Sequence, residues 1–359
     1  MQQKPVVAIA MSGGVDSSVA AALLVKQGYS VIGMMLKLWS EQGEDQSNRC
    51  CTPDSIALAR RVASIISIPF YVLDARQIFY DHVIQPFIDG YAQNTTPNPC
   101  VVCNRSIRWK FLLDHALSAG AEFLATGHYA RVIHPSQHAY QLLLGVDPSK
   151  DQSYVLYVLT QNQLKHALLP LGEFTKQEVR QMAHQYNLPV ADLPDSQDLC
   201  FLGADGDYRN FLARYAPQTQ NPGPILNLQE KVLGTHQGLA FFTIGQRKGI
   251  NISSPVPMYV LAKDSIQNAL IVGTREESFQ DHLIAHHTNW IDGNPPSTDF
   301  NASVKIRYNA HRIAGKVSII DDSTFSVKFE KPVTDIAPGQ SAVLYNGDIC
   351  LGGGVISAD

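Results

Sequence analysis

The stretch that decides the reading of this chain is Val6 to Ser18, VVAIAMSGGVDSS. Its first half, Val6-Val7-Ala8-Ile9-Ala10, is small and branched apolar, the composition of a buried strand. Ser12-Gly13-Gly14 then predicts a tight turn almost without side chains. From Ser17 to Gln27 the residues are strong helix formers, with Lys26 near the end and Gly28 just beyond. Strand, glycine turn and helix together make a phosphate cradle. Uncovered backbone N–H groups converge at the positive end of the helix dipole, and Ser12, Ser17 and Ser18 can add side-chain donors.

The turn is neither the Walker pattern, since no Lys follows the second glycine, nor the dinucleotide pattern GxGxxG. That argues against an ordinary P-loop ATPase and against a dehydrogenase. Asp16 in the mouth of an anion site carries further information, because a carboxylate beside phosphates repels them unless a divalent cation lies between. Mg²⁺ is therefore expected with the nucleotide. SGGVDS resembles the PP-loop of the ATP pyrophosphatases, which cut ATP between the α and β phosphates and transfer AMP to an oxygen.

At 359 residues the chain is too long for one small core and predicts two or three domains. Its 45% hydrophobic and 17% charged content is that of an ordinary globular protein. Every long apolar run is broken by Lys, Gly or Pro, so no membrane span is expected. Met1 to Pro5 leads directly into the first strand without the pattern of a signal peptide, which points to the cytoplasm. A net charge of −4 gives no hint of a polyanionic partner. Six cysteines, Cys50, Cys51, Cys100, Cys103, Cys200 and Cys350, are too few for a disulfide framework and leave catalysis, metal binding or packing.

Ser30 to Trp39 predicts a second buried strand, with Leu36 near the carboxyl end where open α/β sheets bind ligands. Ser40 to Pro53 reads as a polar loop, and Asp54 as the N-cap of a helix. Pro69 to Leu73 predicts a third strand, and Phe79 to Tyr91 an amphipathic helix with a break or kink at Pro86. Two prolines in Thr95-Thr96-Pro97-Asn98-Pro99 forbid regular helix before Cys100, so Cys103 is expected at a helix N-terminus, where the dipole favours thiolate. Phe123 to Thr126 predicts another strand, ending at Gly127-His128-Tyr129. Ser153 to Leu159 is apolar and β-rich, and Gln161 to Tyr186 reads as a helical hairpin with a capping box at Thr175 to Glu178. Beyond Cys200 the texture changes to short strands between Gly and Pro turns. From His282 onward their spacing suits a small β-barrel. The fold expected is α/β, a parallel-sheet PP-loop domain over 1–206, a small mainly-β domain over 207–280 and a C-terminal β-barrel over 281–359.

Cys103 and Cys200 both fall in loops that can face the carboxyl edge of the sheet. Two thiols beside a nucleotide-activating site suggest sulfur chemistry, one thiol carrying a sulfane sulfur that the other displaces, ending in a disulfide. Cys350, inside an apolar strand, reads as inert packing. SGGVDSS, NPCVVCN, ATGHYAR, KDQSYVL, DSQDLCF, GQRKG and PGQSAVLY-NGD-LGGG occur in this order. Together they resemble the tRNA-specific 2-thiouridylases, the MnmA family, over nearly the whole chain.

The resemblance implies addition of sulfur at C2 of the wobble uridine of Lys, Glu and Gln tRNAs. The pyrimidine oxygen is a poor leaving group and is adenylated first by ATP. It implies nucleotide contacts from Ala10, Met11, Ser12, Gly13, Gly14, Val15, Asp16 and Ser17, with Leu36 and Gly127 beside the adenosine. Cys200 would receive a persulfide from a sulfur-relay protein or a cysteine desulfurase, and Cys103 would be the second thiol. Contacts to tRNA are implied for Asn98, Pro99, Cys100, His128, Lys150, Asp151, Gln152, Arg307, Tyr308 and Gln340, with the target base flipped out. A monomer working one-to-one with tRNA is expected.

Many members of that family carry Asp where this chain has Cys100, and a neutral thiol replaces a carboxylate poorly as a base or acceptor. The change creates CxxC plus a distant cysteine. It raises the alternative that Cys100, Cys103 and Cys200 hold three irons of a four-iron cluster. A zinc site using Cys50-Cys51 is a weaker alternative, because CC lacks the usual spacing. A PP-loop synthetase that adenylates a small molecule and uses ammonia, and a non-catalytic nucleotide- or tRNA-binding module, are the readings from other classes.

Overall fold

The computed structural model describes residues 4–41, 52–134, 139–195, 199–202 and 206–358. The predicted strands β1 (Val6–Ala10), β2 (Ser30–Lys37), β3 (Phe70–Asp74) and β4 (Phe123–Ala125) all form. β5 (Ala130–Ile133) and β6 (Gln141–Leu144) make a hairpin, and β7 (Ala167–Leu168) is a two-residue edge strand. The first sheet runs β3-β2-β1-β4-β7 and every pairing in it is parallel. The chain leaves β1 toward one side and returns at β4 on the other. The crevice outside the carboxyl ends of β1 and β4 is thus the switch point where such sheets bind ligands.

The helix after the glycine turn, Val15–Lys26, is buried along nearly its whole length, from Val15 to Leu24. A helix apolar on all sides belongs between a sheet and a second helical layer. The next helix, Pro53–Ile65, is capped by Thr52, whose side chain accepts from Ser55 N, with Pro53 in the first turn. Asp54 is therefore inside the helix and is not its cap. Pro86 does not break the following helix. The chain stays helical over Arg76–Phe79, Tyr80–Ile84 and Gln85–Ala92, and Pro86 is accommodated directly after one π turn.

Two further expectations change. The helix that was to begin beside Cys103 begins at Pro99, with Asn98 Oδ1 accepting from Val101 N. It continues through π geometry over Asn104–Leu112 into Leu113–Ser118. Proline at the first helical position needs no N–H partner, which is why the second proline starts the helix instead of delaying it. Cys100 is thus in the first turn and Cys103 one turn further in. Ser153–Leu156 is a short buried helix, not a strand. Burial on all faces gives the same apolar run in either state, and the Asp151 carboxylate takes the Ser153 N–H.

The central part contributes a four-stranded sheet ordered β10-β11-β8-β9, from β8 (Gly223–Leu226), β9 (Val232–His236), β10 (Tyr259–Asp264) and β11 (Ala269–Gly273). The last part is a six-stranded barrel of β12 (Gln280–Trp290), β13 (Asp299–Lys305), β14 (Ile313–Asp321), β15 (Thr324–Val333), β16 (Ser341–Asn346) and β17 (Ile349–Ile356). β12 pairs with both β15 and β17 and so closes the ring. At the start of β17, Ile349 and Cys350 pair instead with Leu143 and Leu142 of the β5-β6 hairpin. The hairpin of the first domain is therefore an extension of the barrel sheet. No helix among the described residues is long and apolar enough to cross a membrane.

Candidate active site

A cleft of about 540 Å³ opens at the switch point. The glycine turn forms one wall through Ala10, Met11, Ser12, Gly14, Val15, Asp16 and Ser17. Within the turn the hydroxyls hold the backbone in shape. Ser12 N donates to Ser17 Oγ at 3.1 Å, and Ser18 Oγ donates to Gly14 O at 2.8 Å. Gly13 has φ +77 and lies outside the cleft wall. A side chain there would meet Ser55 O at 2.6 Å, so this glycine lets the turn pack on the second helix. Gly127, at the end of β4, does line the cleft; a Cβ on it would sit 2.9 Å from Ser17 N. Its missing side chain leaves room for the cradle backbone.

Asp16 is not alone in the mouth of the turn. Its Oδ1 accepts from Tyr129 Oη and from Lys176 Nζ, both at 2.7 Å. Lys176 also lies 3.0 Å from Asp195, which is paired in turn with Lys150 at 2.8 Å and Arg180 at 2.6 Å. Burial alone would raise the Asp195 carboxyl, but the ammonium groups of Lys150 and Lys176 hold it down to about 2. Three cations, Lys150, Lys176 and Arg180, stand against three carboxylates, Asp16, Asp195 and Asp147, whose Oδ2 accepts from Lys176 N at 2.9 Å, so this cluster beside the phosphate cradle is balanced in charge. Burial, followed by the Asp16 charge, pushes the Tyr129 hydroxyl well above its ordinary range, so it stays a donor. Sequence reading missed Tyr129, Lys176 and Asp195 in these roles. One signal was present: Lys176 is the first residue of its helix, where the dipole disfavours a cation.

Cys103, Cys200, Leu36, His128, Lys150, Gln152 and Tyr308 line the same cleft, and Arg108 joins them. Cys103 is buried and Cys200 half-buried. Among the described residues no disulfide forms. His128 is enclosed, its Nδ1 2.7 Å from Thr126 Oγ1. Burial, then the positive charge of Arg108, lowers its pKa to about 3, so the ring is neutral near pH 7. Burial and the nearby Asp151 push the Tyr308 hydroxyl up to about 12.

The remaining residues of the expected tRNA set sit elsewhere. Asn98 is the helix cap, Pro99 is buried in the first turn and Cys100 is exposed. Asp151 points inward, accepting from Gly145 N, Ser153 N and Ser153 Oγ, with Lys305 Nζ 3.9 Å away. Arg307 is half-buried and donates to the carbonyls of Asp335 and Ile244, tying the barrel to the central domain. Gln340 Nε2 donates to Thr96 O at 2.8 Å, tying the barrel to the loop before Asn98. Arg307 and Gln340 thus join separate parts of the chain, and Asp151 does so through Lys305. Among the described residues no three His, Cys, Asp or Glu side chains gather to hold a metal ion, so the three-cysteine ligand set expected for a four-iron cluster is not assembled. Cys50 and Cys51, with Ser196 to Asp198, lie outside the described residues.

A parallel sheet with a glycine-turn anion cradle at its switch point and thiols across the crevice defines a nucleotide-activating α/β enzyme. Three domain families match in series: a tRNA methyl transferase HUP domain over residues 5–204, a tRNA methyl transferase PRC-barrel domain over 209–274 and an aminomethyltransferase beta-barrel domain over 280–356. The tRNA-specific 2-thiouridylase MnmA of Magnetococcus marinus is 45% identical over 99% of this chain and 100% of its own length. That of Natranaerobius thermophilus is 45% identical over 98% and 96%. Among solved structures, the NMN synthetase of Francisella tularensis aligns with 54% of this chain and 67% of its own, at 17% identity and a TM-score of 0.34. The chain belongs to the tRNA-specific 2-thiouridylase family.

Proposed function

We propose that this protein installs sulfur at C2 of the wobble uridine of tRNA, using ATP to activate the oxygen it replaces. The observation that carries the reading is one cleft holding both the phosphate cradle and the two thiols, Cys103 and Cys200, from distant parts of the chain. Backbone N–H groups of the turn, with the side-chain cations of Lys150 and Lys176 lining the same cleft, suit the phosphates of ATP. Oxygen donors of the kind Mg²⁺ takes are at hand in Asp16, which would hold the ion; when bound, it offsets phosphate charge. The family matched by the first domain is named for methyl transfer, whereas the names of the curated relatives and the paired thiols fit sulfur insertion.

In this reading Cys200 carries a persulfide. The Cys103 thiolate attacks Cys200 Sγ and releases hydrosulfide; the two thiols are oxidised to a disulfide while the sulfane sulfur is reduced. Hydrosulfide then displaces AMP from C2. His128, neutral and enclosed, shapes the cleft and does not serve as an acid at neutral pH. A persulfide-donating protein supplies the sulfur, the enzyme acts as a monomer in the cytoplasm, and the substrates are the Lys, Glu and Gln tRNAs. Pyrophosphate and 2-thiouridine are measured together, with anaerobically purified protein, ATP, Mg²⁺, a sulfur donor and unmodified tRNA. Both products are expected, and Cys200→Ser should lose only the thionucleoside. Pyrophosphate that depends on neither tRNA nor the cysteines would replace this reading with the small-molecule synthetase.

A further inference from the structure

Cys100 stands where the family often has Asp, and the structure gives this thiol a distinct setting. It is exposed in the first turn of its helix, whereas Cys103, one turn on, is buried and reaches the cleft. Residues three apart on a helix are neighbours, with Cβ atoms about 5–6 Å apart, within adjustment of the roughly 3.5–4.5 Å of a disulfide. Cys103, one helical turn from Cys100, lines the cleft, so the exposed thiol is one turn away from it. An exposed first cysteine and a buried second one, spaced CxxC, are the arrangement of a redox dithiol. Cys350 is fully buried in the barrel sheet and is outside this chemistry.

Resting on the sulfur-transfer reading above, we propose that Cys100 takes over the disulfide left between Cys103 and Cys200, returning Cys200 to the form that accepts the next persulfide. The Cys100 thiolate attacks Cys103 Sγ. The Cys100–Cys103 bond forms, the Cys103–Cys200 bond breaks, and Cys200 leaves as thiolate, with no net oxidation in this step. The two electrons that close the cycle come from an external thiol, which attacks Cys100 Sγ at the surface. The exchange moves the reducible bond from a buried sulfur to an accessible one. An Asp in this position cannot do so, which gives the departure from the family pattern a chemical purpose.

The test uses the full chain without ATP or tRNA, so its outcome is separable from that of the thiolation assay. Protein is equilibrated in glutathione redox buffers, alkylated in acid and digested with trypsin. Cys100 and Cys103 share the peptide 77–105, and Cys200 lies in 181–209. Wild type should carry the bond within 77–105, with Cys200 alkylated, in excess over the cross-linked peptides by about tenfold, equivalent to about 30 mV for this two-electron couple. Cys100→Asp should carry only the cross-linked pair. Cross-linked peptides in wild type with Cys100 alkylated would overturn the proposal. In turnover, the glutathione concentration giving half the maximal rate should rise several-fold for Cys100→Asp, and an unchanged thiol dependence would count equally against it.

Discussion

The cleft wall and the domain joints are both made of polar residues that the sequence pattern marks for binding, yet they are built in opposite ways. The turn from Ser12 to Ser18 is shaped locally, by serine hydrogen bonds that span two to five residues and by where the glycines fall, while Asp16 within it reaches out to Tyr129 and Lys176. Arg307 and Gln340 donate to carbonyls far away in the chain or in another domain, and Asp151, held locally by Gly145 and Ser153, faces Lys305 of the barrel. The local cluster lines the cleft wall, where a ligand can reach it. Distant ones close on the protein itself, and substitutions in the two regions should fail in different ways.

The largest effect is expected at the joints. Asp151→Ala leaves the N–H groups of Gly145 and Ser153 without their acceptor and Lys305 without its counter-charge. A buried pair broken from one side costs about 3–5 kcal/mol, read as a lower urea-unfolding midpoint. A variant with the wild-type midpoint and weakened tRNA binding would move Asp151 back to the RNA-facing set.

At the cradle the loss should be in rate. Gly127→Val places carbon against Ser17 N and the Asp16 backbone. Displacing a reacting group by about 1 Å costs on the order of a hundredfold, about 2.7 kcal/mol in the barrier. Pyrophosphate release should fall by that factor while tRNA affinity holds. Equal loss of both would mean that wall and joints are one unit.

These outcomes bear on how much the sequence could tell. The parallel sheet, the glycine turn and the barrel strands were legible because each rests on short-range pattern: apolar runs, turn residues, alternation. Of the thiols in the cleft, Cys200 was legible from its loop, while Cys103, which lies inside a helix, was marked by the family pattern. The Lys176–Asp16 pair was hidden, because Lys176 is separated from Asp16 by 160 residues and its segment already had a complete explanation as a helix cap. Ser153 to Leu156 was misread because a segment buried on every face has no periodicity to report. Arg307 and Gln340 were assigned to RNA by family resemblance, and nothing local in the sequence reveals the carbonyls that they meet.

His128 belongs to both regions, lining the cleft yet enclosed. Its folded pKa of about 3 is below the ordinary 6.5, so burial favours the neutral ring. The stabilisation this provides is complete above pH 6.5 and declines as pH falls toward 3, because the unfolded chain binds the proton first. Stability should drop by about 1.4 kcal/mol per pH unit in that window. His128→Gln should remove this slope between pH 6.5 and 5, where few carboxylates titrate. An unchanged slope would mean that the ring is protonated in the folded protein.

The smallest effect is expected at Gln340. Its amide gives one hydrogen bond to Thr96 O, but the same loop is held a second time by Thr96 N donating to Pro338 O at 2.7 Å. Gln340→Ala removes one of two ties, and the Thr96 carbonyl, at a partly buried joint, can turn to water. A single neutral hydrogen bond is worth about 1 kcal/mol net. The variant should therefore shift the unfolding midpoint only slightly and leave tRNA affinity at the wild-type value. If affinity falls tenfold with the midpoint unmoved, the amide reaches RNA once the tie is released. The distinction between open cradle and closed joint would then hold for Asp151 and Arg307 but not here.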